Sequence, residues 1–188
     1  RGHRDMYGVI PVEPDLPGAA LAVLFMHNEG YSTMCGHATL ALGRWAIEKG
    51  LVPLEIPETR FLLQCPCGGV EVRVDTRSGQ PGRVSFLSVP AFALALDAEV
   101  EMPGVGNVRY DLAYGGAFYA ILPASRLGVS LADPVARIVE AATTLSEAVR
   151  SASVIRHPEE PDLGFLYGSI LTDDLDERSR NVCIFADG

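Results

Sequence analysis

The sequence predicts an α/β fold of the α+β kind, in which mostly antiparallel strands surround one apolar helix. Two observations carry this. Residues 36–49 read as a helix with apolar side chains around most of its circumference, and short β-like runs broken by glycine and proline fill residues 60–120. With 48% hydrophobic residues, a chain of 188 residues has enough apolar material for a real core. At roughly 150 residues per domain, one or two domains fit.

Composition narrows the function classes. A net charge of −9 argues against non-specific binding to nucleic acid or an anionic membrane. It leaves an anionic small substrate open, because a local helix dipole can override the global sign. No apolar stretch is long enough to span a bilayer, and the start lacks a basic-then-apolar signal segment. The four cysteines, Cys35, Cys65, Cys67 and Cys183, are too few and too unevenly spaced for a disulfide scaffold, so a reducing, cytoplasmic setting is expected. The sequence opens on Arg1 and closes in a strand-like run, and both ends read as cut from something longer.

Residues 20–26 are a continuous apolar run and predict a buried strand. The polar turn His27-Asn28-Glu29-Gly30 follows, and Ser32 and Thr33 are good N-cap residues. The helix runs from Gly36 to Lys49, with Gly50 at the C′ position. Its apolar residues, among them Leu40, Ala41, Leu42 and Trp45, predict that it is mostly enclosed. Strands are expected at 61–65, 70–74, 83–87 and 108–112, with another near Phe118. A second, amphipathic helix is expected over 133–152, with Asp133 as N-cap and Pro134 at N1. His157 to Asp162 reads as an exposed loop, and 165–172 and 181–185 as closing strands. No internal repeat stands out. The domains are expected to be 1–108, carrying the first helix, and 109–188, a partial second unit.

Cys35 is the candidate catalytic residue. A helix start offers free N–H groups and a dipole that favour a thiolate, lowering a thiol pKa from about 8.5 by one to several units. Gly36 lets a ligand approach the backbone, His37 adds a donor or a cation, and the same N–H groups suit a carboxylate. A thiol base beside a carboxylate cradle fits chemistry at the α-carbon of an amino acid. Cys65-Pro66-Cys67 has no second ligand pair at zinc-finger spacing and reads as a strand end with two opposite-facing thiols, so no metal is expected. Cys183 reads as core. Gly115-Gly116 fits neither phosphate-loop pattern and is assigned to close packing or a bulge.

The stretch from His27 through Met34-Cys35-Gly36-His37 to Arg44 resembles the first catalytic motif of the proline racemase family, in wording closest to its trans-3-hydroxy-L-proline dehydratase branch. Arg1-Gly2-His3, Asp5-Met6-Tyr7-Gly8, Cys65-Pro66-Cys67-Gly68, Tyr114-Gly115-Gly116-Ala117-Phe118-Tyr119, His157-Pro158-Glu159, Phe165-Leu166-Tyr167-Gly168 and the tail Asn181 to Asp187 extend the resemblance over essentially the whole chain.

The resemblance implies a diaminopimelate-epimerase-like fold of two similar domains, the second truncated here, each a β-barrel around a central helix. It implies that Cys35 accepts the proton while the backbone of Gly36 and His37 contacts substrate. No cofactor is implied. A second motif, which would follow Asp187, supplies a threonine in the dehydratase branch and a cysteine in racemases and epimerases. The expected reaction is dehydration of trans-3-hydroxy-L-proline to pyrroline-2-carboxylate. Epimerisation of 4-hydroxyproline, racemisation of proline, or a non-catalytic amino-acid-binding domain remain as alternatives. The partner is a small molecule, with a homodimer expected for the whole protein and no activity expected of these 188 residues alone.

Overall fold

The structure, a computed structural model, describes residues 6–27, 30–173 and 179–185. The chain divides into two compact units, residues 1–90 and 91–188. The expected boundary at 108/109 lies inside a hairpin of the second unit, because residues 92–102 form a strand that pairs with the one after it.

In the first unit, β1 (Gly8–Val12) and β2 (Ala19–His27) form an antiparallel hairpin, and β3 (Gly30–Ser32) folds back on β2. Helix α1 (Gly36–Glu48) leads to β4 (Glu58–Cys65), which pairs with β2 in parallel. β5 (Gly68–Asp75) and β6 (Val84–Leu87) complete the sheet in antiparallel fashion, in the order β1-β2-β4-β5-β6. The alternation of β4 and β5 is legible in their burial: Thr59, Phe61, Leu63 and Cys65, then Val70, Val72 and Val74, point to the core. The mixed α/β class expected is present, with α1 packed on one face of the sheet. Among the described residues the sheet is open, with β1 and β6 as its edges.

α1 ends as its sequence predicts, with Lys49 as C-cap and Gly50 at φ 70°, the left-handed conformation glycine tolerates best. Its enclosure differs from the expectation. Thr39, Leu42, Gly43, Ala46 and Ile47 are buried, whereas His37, Leu40, Ala41, Arg44 and Glu48 form an exposed stripe at helical spacing. Apolar composition does not report which face the sheet covers. The same holds for β2, where Leu24 and Met26 are exposed although the run is uniformly apolar.

The second unit follows a related plan. β7 (Phe92–Met102), β8 (Gly106–Tyr114) and β9 (Phe118–Pro123) form an antiparallel meander. Helix α2 (Val135–Ala152) then leads to β10 (Leu166–Thr172), parallel to β9, and β11 (Asn181–Phe185) pairs antiparallel with β10. In both units, therefore, a helix connects two neighbouring parallel strands of an otherwise antiparallel sheet. Pro134, one residue later than expected, is the N-cap of α2; Asp133 instead accepts from the Ser130 N–H at 3.0 Å and pairs with Arg137 at 3.3 Å. Gly115 and Gly116 make the β8–β9 turn, with Gly116 at φ 103°, which replaces the packing or bulge role expected of them.

The packing of α1 on the sheet turns on Gly43. A Cβ there would lie 2.5 Å from Val84 Cγ1 and 3.1 Å from Val72 Cγ1. Overpacking of this kind typically costs about 1–3 kcal/mol. Gly43→Val is therefore expected to lower the unfolding free energy by about 2 kcal/mol or more in denaturant titration. Ala41→Val, on the exposed stripe, should cost less than about 1 kcal/mol. Equal losses at the two positions would contradict the seating of α1 on β5 and β6.

Candidate active site

The first turn of α1 begins at Cys35, which is itself the N-cap, with extended backbone at φ −140° and ψ 107° and no side-chain cap bond. Ser32 and Thr33, the expected caps, do other work. Both are buried, at 2% and 8% exposure, and both tie the preceding loop to the unit. The Ser32 and Tyr7 hydroxyls share a hydrogen bond, and the Thr33 carbonyl accepts the Cys67 N–H at 3.2 Å. On the helix side, Thr39 donates twice to the Cys35 carbonyl, from its N–H at 3.0 Å and its Oγ1 at 2.9 Å. Thr39 is fully buried. The Cys35 main chain is thus held just ahead of the intrahelical ladder, where the N–H groups of Gly36, His37 and Ala38 have no acceptor four residues back within the helix.

The three candidate residues have different surroundings. Cys35 and Gly36 are half-buried and His37 is exposed. Cys35 packs against the apolar cluster of the first unit, together with Met34 and Phe86. Gly36 faces the Phe86 ring: a Cβ there would sit 3.3 Å from Phe86 Cζ. Glycine at this position therefore also lets the first turn lie close to β6. His27 pairs with Gly30 across the β2–β3 hairpin and stacks on Tyr7 with ring centroids 6.0 Å apart. Asn28 and Glu29 lie outside the described residues, as do Arg1, Gly2, His3, Asp5, Ala186 and Asp187.

Cys65 and Cys67 do not face opposite ways. Both are buried, at 4% and 8% exposure, in the same cluster that Cys35 packs against. Interaction with the neighbouring Cys67 thiol, then burial, then the nearby Cys35 sulfur push Cys65 far above the ordinary thiol range. Cys183, expected in the core, lies exposed on β11. β11 forms the end of its sheet among the described residues, and Cys183 alternates with buried Ile184.

His157 also departs from expectation. It is half-buried, with its ring 4.7 Å from Tyr114 and 5.7 Å from Phe92. Its Nδ1 accepts the N–H groups of Glu159 at 3.3 Å and Glu160 at 3.0 Å, so it organises the loop. Thr39, Tyr7, Phe86 and the Thr33–Cys67 tie did not stand out in sequence. A hydroxyl four residues after Cys35, among apolar neighbours, is the one sequence signal for Thr39, and it went unread. Among the described residues, no group of three or more His, Cys, Asp or Glu side chains is arranged to hold a metal ion.

Comparison with known proteins bears on what such a site does. A family model described as proline racemase matches residues 1–188. The chain is 53% identical over 196 residues to the trans-L-3-hydroxyproline dehydratase of Mus musculus, an alignment covering 100% of this chain and 55% of that protein. It is 39% identical over 191 residues to the 3-hydroxyproline 2-epimerase of Burkholderia multivorans, covering 100% of this chain and 57% of that one. The solved structure of a hydroxyproline epimerase from Agrobacterium vitis, with bound trans-4-hydroxy-L-proline, superposes with a TM-score of 0.83 at 26% identity, over 94% of this chain and 52% of that one. The chain thus spans a little over half the length of these curated relatives.

The thiol environments predict an order of reactivity. Cys35, at a helix start and half-buried, should be alkylated by iodoacetamide faster than Cys65 or Cys67 near neutral pH, and faster than exposed Cys183, which lacks a helix terminus. Peptide mapping by mass spectrometry reads this order. Labelling of Cys65 or Cys67 ahead of Cys35 would contradict it.

Proposed function

Because the chain belongs to the proline racemase family, we propose that it serves cofactor-independent removal of the α-proton from a proline-type amino acid, with trans-3-hydroxy-L-proline dehydrated to pyrroline-2-carboxylate. The observation that carries this is the N-cap position of Cys35, whose thiol makes no cap bond and so leaves both itself and the first N–H groups of α1 to a ligand. The choice of substrate rests on the 53% identity to the mouse dehydratase.

The chemistry follows from the acidity problem. An α-hydrogen is far less acidic than a thiol, so charge that develops on the substrate must be met by preorganised donors. The N–H groups of Gly36 and His37, at the positive end of α1, receive the substrate carboxylate and the negative charge it takes on. The Cys35 thiolate takes the α-proton. The C3 hydroxyl then leaves, and with that proton the net loss is one water. The enamine that remains tautomerises to the imine, pyrroline-2-carboxylate. In this reading Thr39 and the loop ties of Ser32 and Thr33 hold the thiol in place, so little reorganisation is needed at the moment of transfer.

A second reading, epimerisation at the α-carbon, is supported by the 39% identity to the Burkholderia multivorans epimerase. It shares the proton removal and differs in the later step, where the opposite face of the α-carbon is reprotonated and the hydroxyl stays. A homodimer in a reducing, cytoplasmic setting belongs to the same proposal.

Two measurements test the reading. Cys35→Ser in the protein carrying this sequence should lower turnover of trans-3-hydroxy-L-proline by about 10³-fold or more with the fold retained, since an alcohol is far too weak an acid to replace the thiol. Near-normal rates with 3-hydroxyproline, 4-hydroxyproline and proline in that variant would refute catalysis by Cys35, and absence of all three activities in the unsubstituted protein would favour a binding domain. Metal analysis should find no stoichiometric zinc or iron, and chelators should leave the rate unchanged. A full equivalent of tightly bound metal would overturn the cofactor-free chemistry.

A further inference from the structure

Thr39 carries the one side-chain hydroxyl of α1, and that hydroxyl lies on the buried face. It shares the face with Leu42, Gly43, Ala46 and Ile47 and is 0% exposed. Valine would fill the same space with no buried hydroxyl to satisfy. The helix ladder does not need the hydroxyl either, since the Thr39 N–H already reaches the Cys35 carbonyl at 3.0 Å. The Oγ1 proton goes to the same oxygen, at 2.9 Å; the Met34 sulfur, at 3.9 Å, is a more distant and weaker acceptor. The Cys35 carbonyl thus takes two donors, one for each lone pair.

That carbonyl belongs to the peptide group whose N–H is that of Gly36. In a trans peptide the C=O and N–H point in opposite directions. With the Cys35 oxygen drawn toward Thr39, inside the helix, the Gly36 N–H points out of the N-terminal end. We infer that Thr39 is a positioning residue for that N–H: its hydroxyl locks the plane of the Cys35–Gly36 peptide and, by drawing electron density onto the carbonyl oxygen, makes the Gly36 N–H a stronger donor to a carboxylate. This role presupposes the proposed carboxylate site at the end of α1. Polarisation along a chain of hydrogen bonds strengthens each by about 10–30%. The gain is largest where the charge is largest, on the carboxylate as the α-proton leaves. The hydroxyl therefore acts on the transition state more than on the bound substrate.

Iodoacetate reads this donor without turnover. The carbon it offers the thiol carries a carboxylate, as the substrate α-carbon does, whereas iodoacetamide is neutral. The ratio of the two alkylation rates at Cys35 cancels any change in the thiol itself. Thr39→Val, which keeps the shape and loses the O–H, should lower that ratio about threefold, and should lower kcat for trans-3-hydroxy-L-proline about fivefold with KM within about twofold. Thr39→Ser, which keeps the O–H, should recover most of both losses. If the valine variant does not fold, Thr39→Ala takes its place, since it differs from the serine variant only by the hydroxyl. Equal ratios in the donor and non-donor variants would overturn the inference, even with both alkylation rates slowed, because the hydroxyl would then act on the thiol alone. Equal kcat in the two variants of an active protein would overturn it as well. A protein without turnover in which the ratio still splits would count against the proposed reaction and leave the role of Thr39 standing.

Discussion

The close seating of α1 on β5 and β6 is the constraint on which the site depends. It requires two glycines on one face of the helix, seven residues apart. Gly43 meets Val84 and Val72, and Gly36 meets the Phe86 ring. Seven residues is nearly two turns, so both contacts fall on the same side of the helix. With the helix axis fixed at both points, the position of its N-terminal end is fixed too. The loop that delivers Cys35 is then anchored to three neighbours: Tyr7 through Ser32, the β4–β5 turn through Thr33, and Thr39 through the Cys35 carbonyl. Side chains and main chain divide this work, which leaves the Cys35 thiol uncommitted.

Much of this was legible in the sequence where local chemistry decides the outcome. The limits of α1 follow from a polar loop before Cys35 and a glycine after Lys49. The strands β4 and β5 follow from alternation of apolar and polar residues. Legibility failed where the answer depends on what lies across from a residue. Leu40 and Ala41 looked as buried as Leu42 because apolar composition does not reveal the direction in which the sheet lies. The first strand of the second unit, β7, was missed because Ala93 to Asp97 lacks a clean period of two; its pairing with β8 shifts register twice in that stretch, and Asp97 sits at φ 50°. The compact units divide at residue 90, just ahead of that strand.

At the site, Cys35, Gly36 and His37 were singled out from a thiol, a glycine and an imidazole at a helix start. The residues that hold them were not, since each acts through a partner remote in sequence: Tyr7 and Ser32 are 25 residues apart, and Cys67 is far from Thr33 along the chain. Cys65 and Cys67 illustrate the same point. The sequence reading sets them facing opposite ways at a strand end, yet both are buried in one cluster, on either side of Pro66, where the turn begins. Their burial in one cluster appears only once the hairpin is folded.

The central claim is that the Cys35 thiol itself removes the α-proton. It is tested most directly with trans-3-hydroxy-L-proline carrying deuterium at C2, by following release of the label into solvent. The protein carrying this sequence should release one deuteron for each pyrroline-2-carboxylate formed, and Cys35→Ser should release essentially none. Release by Cys35→Ser at the rate of the unsubstituted protein would contradict the account.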